Sequence, residues 1–284
     1  SSIEPIIEVT QIKGDSETHP SISPQDEFAD FEDAWWNLVS KYRNNEPSQY
    51  SEKDMANRSF ARGALKAGLS IESDLDVNPF KFGMIGSTDS HTGLATAAEK
   101  NFWGKMATDK PSPYRAQYSS IYSASGYAAV WAAENTREAI FAAMKRREVY
   151  ATTGPRIVLR FFGGWDFEHA DAASPNLAEI GYRKGVSMGG DLVFQERETS
   201  PNFLLSAMRD PNGANLDRIQ IIKGWQDQKG VLREKVYDVA WSGDRSIGVD
   251  GKLPAIQSSV NVTEASYRNT AGAPYLGVVW TDPD

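Results

Sequence analysis

Short blocks of apolar residues, separated by polar and turn-forming stretches, run along the chain, and each block predicts an element. Pro5-Ile6-Ile7-Glu8-Val9 is β-branched and predicts a buried strand ending near Gly14. Residues 15–33 are acidic and punctuated by Pro20 and Pro24, which reads as loop. Trp35, Trp36, Leu38 and Val39 then give residues 33–39 the pattern of a short amphipathic helix. Phe60, Ala61, Ala64, Leu65 and Ala67 predict a helix over 59–69, closing at Gly68. Residues 80–85 form a short apolar strand that runs directly into Gly86-Ser87-Thr88-Asp89-Ser90-His91. The clearest helix covers 136–147: Thr136 can cap it, Glu138 suits its first turn, and Lys145-Arg146-Arg147 complements the dipole at its end. A strand over 149–153 follows, broken by Gly154-Pro155.

Beyond residue 155 the texture changes. Residues 157–162, 203–208, 218–223 and 235–241 all read as strands, with turn signals such as Asp210-Pro211-Asn212-Gly213 between them and no helix. That pattern predicts a small β-sandwich or appended sheet over 156–284. In the first part, residues 1–155, a strand leading into a polar loop is the way (β/α) barrels present ligands, at the carboxyl ends of their strands. The predicted fold class is therefore α/β plus β.

Composition narrows the chemistry. The chain of 284 residues is 40% hydrophobic and 11% aromatic, enough for a real core. Its net charge of −8, from 38 acidic and 30 basic residues, supplies no basic stripe for nucleic acid. An anionic small-molecule substrate stays open, because a bound cation can dominate a local field. With no cysteine, disulfides, thiolate nucleophiles, Cys-ligated zinc and iron–sulfur clusters are excluded. Any metal must sit among His, Asp, Glu and other oxygen donors, which suits Zn, Mn, Mg or Fe. No apolar run is long enough to span a membrane and no leader pattern opens the chain. The abrupt start on a strand suggests processing or loss of an upstream region. With the lack of cysteine it leans toward a periplasmic or secreted location. Nucleotide-loop and serine-hydrolase motifs do not occur.

Histidine is confined to His19, His91 and His169. In an extended segment residues i and i+2 point the same way, so Asp89 and His91 can share one cation. Their small neighbours Gly86, Ser87, Ser90 and Gly93 leave room for substrate. The competing reading is a turn with a capping Asp and a surface His. Glu17 and His19 repeat the acid-x-His spacing beyond the first strand, against a competing reading as an acidic, solvated loop. Glu8 can point into a barrel as a ligand or as an ordinary charge partner, and His169 reads as surface. Trp225, Tyr237 and Trp241 could form a sugar-binding platform, although aromatics at alternating strand positions are more often core. Lys13, Arg147 and Arg156 can bind an anionic group, or equally be solvated charges or salt-bridge partners.

Residues 82–93, Phe-Gly-Met-Ile-Gly-Ser-Thr-Asp-Ser-His-Thr-Gly, resemble the Asp-x-His segment that closes the metal site of PHP-superfamily phosphoesterases. Residues 136–156 resemble the closing helix and strand of that fold. More narrowly, residues 12–20, 26–32 and 239–245 are similar to the DUF3604 family, over nearly the whole chain. The resemblance implies the C-terminal part of a distorted PHP-like barrel, with divalent metal ions held at strand ends. There they would activate a bridging water for attack on a phosphoryl centre. Asp89 and His91 map onto the last ligand pair; Glu17 and His19 are further metal candidates from their spacing. The His-x-His pair that opens PHP barrels is absent, so the resemblance also implies a missing N-terminal half as partner. Two alternatives stand beside the phosphoesterase reading: a metal-dependent esterase on another bond, and a non-catalytic carbohydrate- or ligand-binding protein using the β-rich region.

Overall fold

The computed structural model describes residues 3–31, 51–93, 125–194 and 199–283. The chain divides into two units, one of Ser1–Gly154 with Lys223–Lys235, the other of Pro155–Ile222 with Val236–Asp284.

In the first unit, β1 (Ile6–Gln11) turns back into the two-residue β2 (Gly14–Asp15) and pairs in parallel with β3 (Gly83–Gly86). A bulge interrupts that pairing: Glu8 faces Ile85 and Thr10 faces Gly86, leaving Val9 as the extra residue. Bulges re-aim side chains; here Val9 and Thr10 are both buried while Glu8 is exposed. β4 (Tyr127–Val130) and β5 (Val149–Thr152) pair antiparallel around α3 (Arg137–Lys145), and β5 lies against β3. Thr136 caps α3, its hydroxyl accepting from the Ala139 amide at 3.3 Å.

α1 (Glu52–Ser59) and α2 (Ala61–Leu75) are separated by the extended residue Phe60, buried with Ile22 and Ala56. α2 has no side-chain cap; its first amides, Ala61 and Arg62, donate to the carbonyls of Ser16 and Glu17 at 3.0 and 2.9 Å. The predicted stop at Gly68 is overrun by seven residues. That glycine serves close approach instead, since a Cβ there would lie 2.3 Å from the Asn78 side-chain oxygen.

In the second unit, β6 (Val158–Gly164), β7 (Gly185–Ser187), β8 (Asn202–Met208) and β11 (Tyr275–Thr281) form an antiparallel sheet in the order β11-β8-β6-β7. Strand alternation sends Phe162, Leu204 and Val279 to one face, where they pack on Phe167, Ala172, Leu177 and Ile180. The last four belong to the 3-10 turn His169–Ala173, to α4 (Leu177–Lys184) and to their approach. The other face, with Phe161, Leu205, Ala207 and Leu276, packs on Ile219, Ile221, Val239 and Ala240. These come from the two-stranded sheet of β9 (Arg218–Gln226) and β10 (Leu232–Trp241).

The expected barrel is not formed. Among the described residues there are four small sheets, none closed, and four α-helices; β1 and β3 make the one parallel strand pair. A (β/α) barrel needs parallel strands throughout, whereas β4 and β5 run antiparallel around the helix between them. The α/β plus β expectation, a PHP-like barrel fragment followed by a sandwich-like region, therefore gives way to two units built mostly from small sheets. α4 lies where the sequence predicted no helix, and the helix expected over 33–39 falls outside the described residues. No helix among the described residues is long and apolar enough to cross a membrane.

One turn carries a pH dependence. Asp210 accepts from the Arg156 amide at 2.7 Å and from the Asn212 amide at 2.8 Å. Those two bonds, the Arg156 amide first, hold its carboxyl below the ordinary carboxylate range against a smaller opposing effect of burial. A depressed folded pKa means the stabilisation is present above the unfolded value and lost as pH falls through the folded one. Asp210→Ala is expected to cost about 1 kcal/mol near neutral pH. The difference from the parent should shrink below about pH 4, as urea unfolding at both pH values would show.

Candidate functional site

The bulged β1 and β3 end side by side, and their carboxyl ends set the loop over 87–93. The Ser87 amide donates to the Thr10 carbonyl at 3.0 Å, and the Ser87 carbonyl accepts from the Gly126 amide at 2.9 Å. The Ser87 hydroxyl donates to the Glu8 carboxylate and accepts from the Asp89 amide at 3.2 Å. Ser90 repeats the device, its amide donating to the Thr88 hydroxyl at 3.2 Å. Hydroxyl-to-amide bonds two residues apart shape such loops locally. Asp89 is held in the left-handed region at φ 47°, a conformation that Asp and Asn tolerate better than most residues.

Its carboxylate meets the Lys13 ammonium, from the turn after β1, at 2.8 Å; the lysine side chain is 37% exposed and the Asp89 side chain 21%. His91 is more open, and its Nδ1 lies 2.8 Å from the Asp89 backbone carbonyl and 3.8 Å from the Asp89 carboxylate. A carbonyl only accepts, so Nδ1 carries the proton and, in the neutral ring, the lone pair is on Nε2. Backbone bonding at one ring nitrogen is how ligating histidines are oriented through the other.

His19 is set the opposite way. Its Nδ1 accepts from the Ser21 amide at 3.2 Å and lies 2.8 Å from the Ser21 hydroxyl, so the neutral ring carries its proton on Nε2. The ring is buried and tilted on Phe60, with centroids 5.5 Å apart. Glu17 is engaged elsewhere: Nε and Nη2 of Arg62 donate to one of its oxygens at 2.9 and 2.7 Å. Arg62 also meets Asp26 at 2.6 Å and Glu234 at 3.7 Å, and Lys66 reaches Glu234 at 3.2 Å. Burial alone would lower the Arg62 pKa; Glu17 and then Asp26 outweigh it and leave the guanidinium above the ordinary arginine value.

The structure thus brings Asp89 and His91 together with Lys13, and ties Glu17 and His19 into the packing of the 15–31 loop on α2. No three His, Asp or Glu side chains among the described residues are gathered as a metal would require. Glu8 bonds to Ser87 and Gln11 at the surface, and His169 is exposed in its 3-10 turn. Arg147 donates to the Lys81 carbonyl at 3.0 Å. It also lines an open cleft of about 520 Å³ with Lys81, Lys145 and Val77, beside the amino-terminal ends of β3 and β5. Of the aromatic trio, Trp225 belongs to the first unit, its ring under Lys223 at 5.2 Å. In the second, Tyr237 packs on Trp280 at 5.0 Å and the Trp241 indole donates to the Arg245 carbonyl at 2.8 Å. Lys13, open in the sequence as an anion-binding or salt-bridge residue, is a salt-bridge partner here, of Asp89; Arg62, the partner of Glu17, was not singled out, and both pairs are far apart in the chain. Lys13 had a usable signal, its place just past the end of β1.

The described residues define a protein of two sheet-based units with a polar, charged loop at the strand ends of the first. The whole chain, residues 1–284, matches the family described as "Protein of unknown function (DUF3604)", and the chain belongs to that family. No curated protein and no solved structure matches it.

Proposed function

We propose that the Asp89–His91 loop is one edge of a divalent-cation site in a metal-dependent hydrolase, with a phosphoester or similar anionic small molecule as substrate. The observation that carries this reading is the His91 ring. Its Nδ1–H donates to the Asp89 carbonyl at 2.8 Å, which leaves the Nε2 lone pair of the neutral ring available to a ligand. The Asp89 carboxylate is the companion donor. Zn, Mn, Mg and Fe all accept an imidazole–carboxylate pair in varying proportion; four or more donors complete such a site, so this pair is part of one.

When bound, a cation there would activate water and offset charge developing on the substrate. The chain's own contribution is positional. The loop hydroxyls hold Asp89 in its left-handed conformation, Asp89 orients His91, and Lys13 adds a cation within reach of an anionic group. The non-phosphate esterase reading shares this site and differs in substrate alone. The carbohydrate-binding reading has less support, because the Tyr237 ring is already packed on Trp280.

Titration of the chain with Mn²⁺ or Zn²⁺ tests the proposal, alongside hydrolysis of an aryl phosphate. Asp89→Asn keeps the left-handed backbone, and His91→Ala removes the ring. Either is expected to weaken cation binding by roughly 100-fold, with unfolding midpoints unchanged. A parent protein that binds neither ion would sink the reading.

A further inference from the structure

Three cations converge on the cleft at the amino-terminal ends of β3 and β5. Lys81 comes from the approach to β3, Lys145 from the last turn of α3, and Arg147 from the turn after it. Val77 and Pro79 add apolar lining, and a volume of about 520 Å³ is that of a small-molecule site. The α3 dipole accounts for Lys145; it does not account for Arg147. Arg147 and Glu148 close α3 in a Schellman arrangement, the Arg147 amide donating to the Met144 carbonyl at 3.0 Å and the Glu148 amide to the Ala143 carbonyl at 3.1 Å. Arg147 therefore holds the left-handed position, at φ 64°, where glycine is the usual and least strained residue. The neighbouring strand makes room for it: a Cβ at Gly83 would come within 3.1 Å of the Arg147 Cβ and 3.3 Å of its Cα. The bond from Nη1 to the Lys81 carbonyl at 3.0 Å then anchors the guanidinium at the cleft wall. An arginine kept at a glycine position, anchored in a basic cleft, is backbone strain of the kind held at ligand sites.

We propose that this cleft binds the phosphate group of a soluble small molecule, with Arg147 gripping the phosphate oxygens. A guanidinium fork matches phosphate geometry, and the Lys81 and Lys145 ammonium groups add point charges beside it. Lys81 also meets Glu72 at 3.1 Å, but both side chains are more than a third exposed, and so screened a pair yields readily to a multiply charged anion. Val77 and Pro79 suit the apolar body of such a ligand. No cation at the 87–93 loop is needed, since that loop leaves the opposite end of β3.

Isothermal titration with inorganic pyrophosphate, at low salt and with EDTA present, tests the site. The parent is expected to bind, with an affinity that falls as salt is added. Arg147→Gly should weaken binding roughly tenfold or more and yet unfold no earlier than the parent, because glycine relieves the left-handed strain. An arginine with a purely structural role would do the reverse, lowering the unfolding temperature and leaving the affinity unchanged, and that result would overturn the proposal. Lys145→Gln should weaken binding several-fold, whereas Lys53→Gln, which removes the same charge from the exposed side of α1, should not. Equal losses in those two variants would reveal general charge attraction and overturn the site, as would a parent that binds no pyrophosphate. Sedimentation of the parent with phosphatidic acid vesicles, without uptake of soluble pyrophosphate, would make the ligand a membrane surface and overturn it as well.

Discussion

Arg62→Ala is expected to destabilise the first unit by about 3–5 kcal/mol, the range for breaking a buried ion pair from one side. The guanidinium side chain is 9% exposed and its Asp26 partner 3%. Removing it leaves Glu17, Asp26 and Glu234 without the guanidinium they share, while Lys66 still meets Glu234 at 3.2 Å. The cost lies in the uncompensated carboxylates more than in the lost bonds. Arg62→Ala combined with Asp26→Asn should therefore recover part of the loss, which a sum of independent effects would not allow. Urea unfolding of the two variants measures both quantities. A single-variant loss under about 1 kcal/mol would mean the hub is solvated rather than buried. Because Glu17 and His19 ride on this hub, the same experiment bears on their role as props of the 15–31 loop.

Gly86→Ala should be nearly as damaging, by steric conflict rather than charge. A Cβ at Gly86 would lie 2.8 Å from the Tyr127 carbonyl oxygen and 2.9 Å from both the Thr152 carbonyl oxygen and the Thr10 methyl. Two of those neighbours are backbone, held in the β4–β5 pairing, and cannot swing aside. Overpacking of that kind costs about 3 kcal/mol, the upper end of the usual range. The displaced strand end carries Ser87 and Asp89 with it, so cation binding at the loop should fall although every proposed ligand remains. Gly93→Ala is the contrasting variant: nothing lies within 4 Å, but φ is +68°, so a backbone cost of about 1 kcal/mol is expected. Thermal unfolding with Mn²⁺ titration separates the two.

The elements read most easily from the sequence carry their own local signals. α3 has a capping Thr136, an acidic first turn and Lys145 at its end, all short-range features. β6, β8, β9 and β10 were legible from short apolar or alternating runs between turn residues, because such patterns are set within a few positions. α4 was not: Asn176 makes no side-chain cap bond, and an eight-residue helix offers little periodicity. Barrel closure failed for a different reason. A strand's composition does not state its direction, and Val149–Thr152 reads the same whether it runs parallel or antiparallel to its neighbour. The loop over 87–93 was conspicuous because its polar residues are contiguous. The hub around Arg62 was hidden because its links span 45 residues between Glu17 and Arg62, and sequence pattern carries nothing across that distance. The acid-x-His spacing of Glu17 and His19 looked like that of Asp89 and His91, while the opposite proton placement on the two rings depends on backbone partners that the spacing does not reveal.

The left-handed backbone at Asp89 has an evolutionary consequence. Few side chains sit at φ 47° without penalty, and Asn and Gly are foremost among them. Most replacements of Asp89 would be purged for folding badly. The two that survive discard the carboxylate and keep the loop intact. A relative with Asn or Gly here would therefore keep the backbone of the loop and lose the carboxylate that meets Lys13.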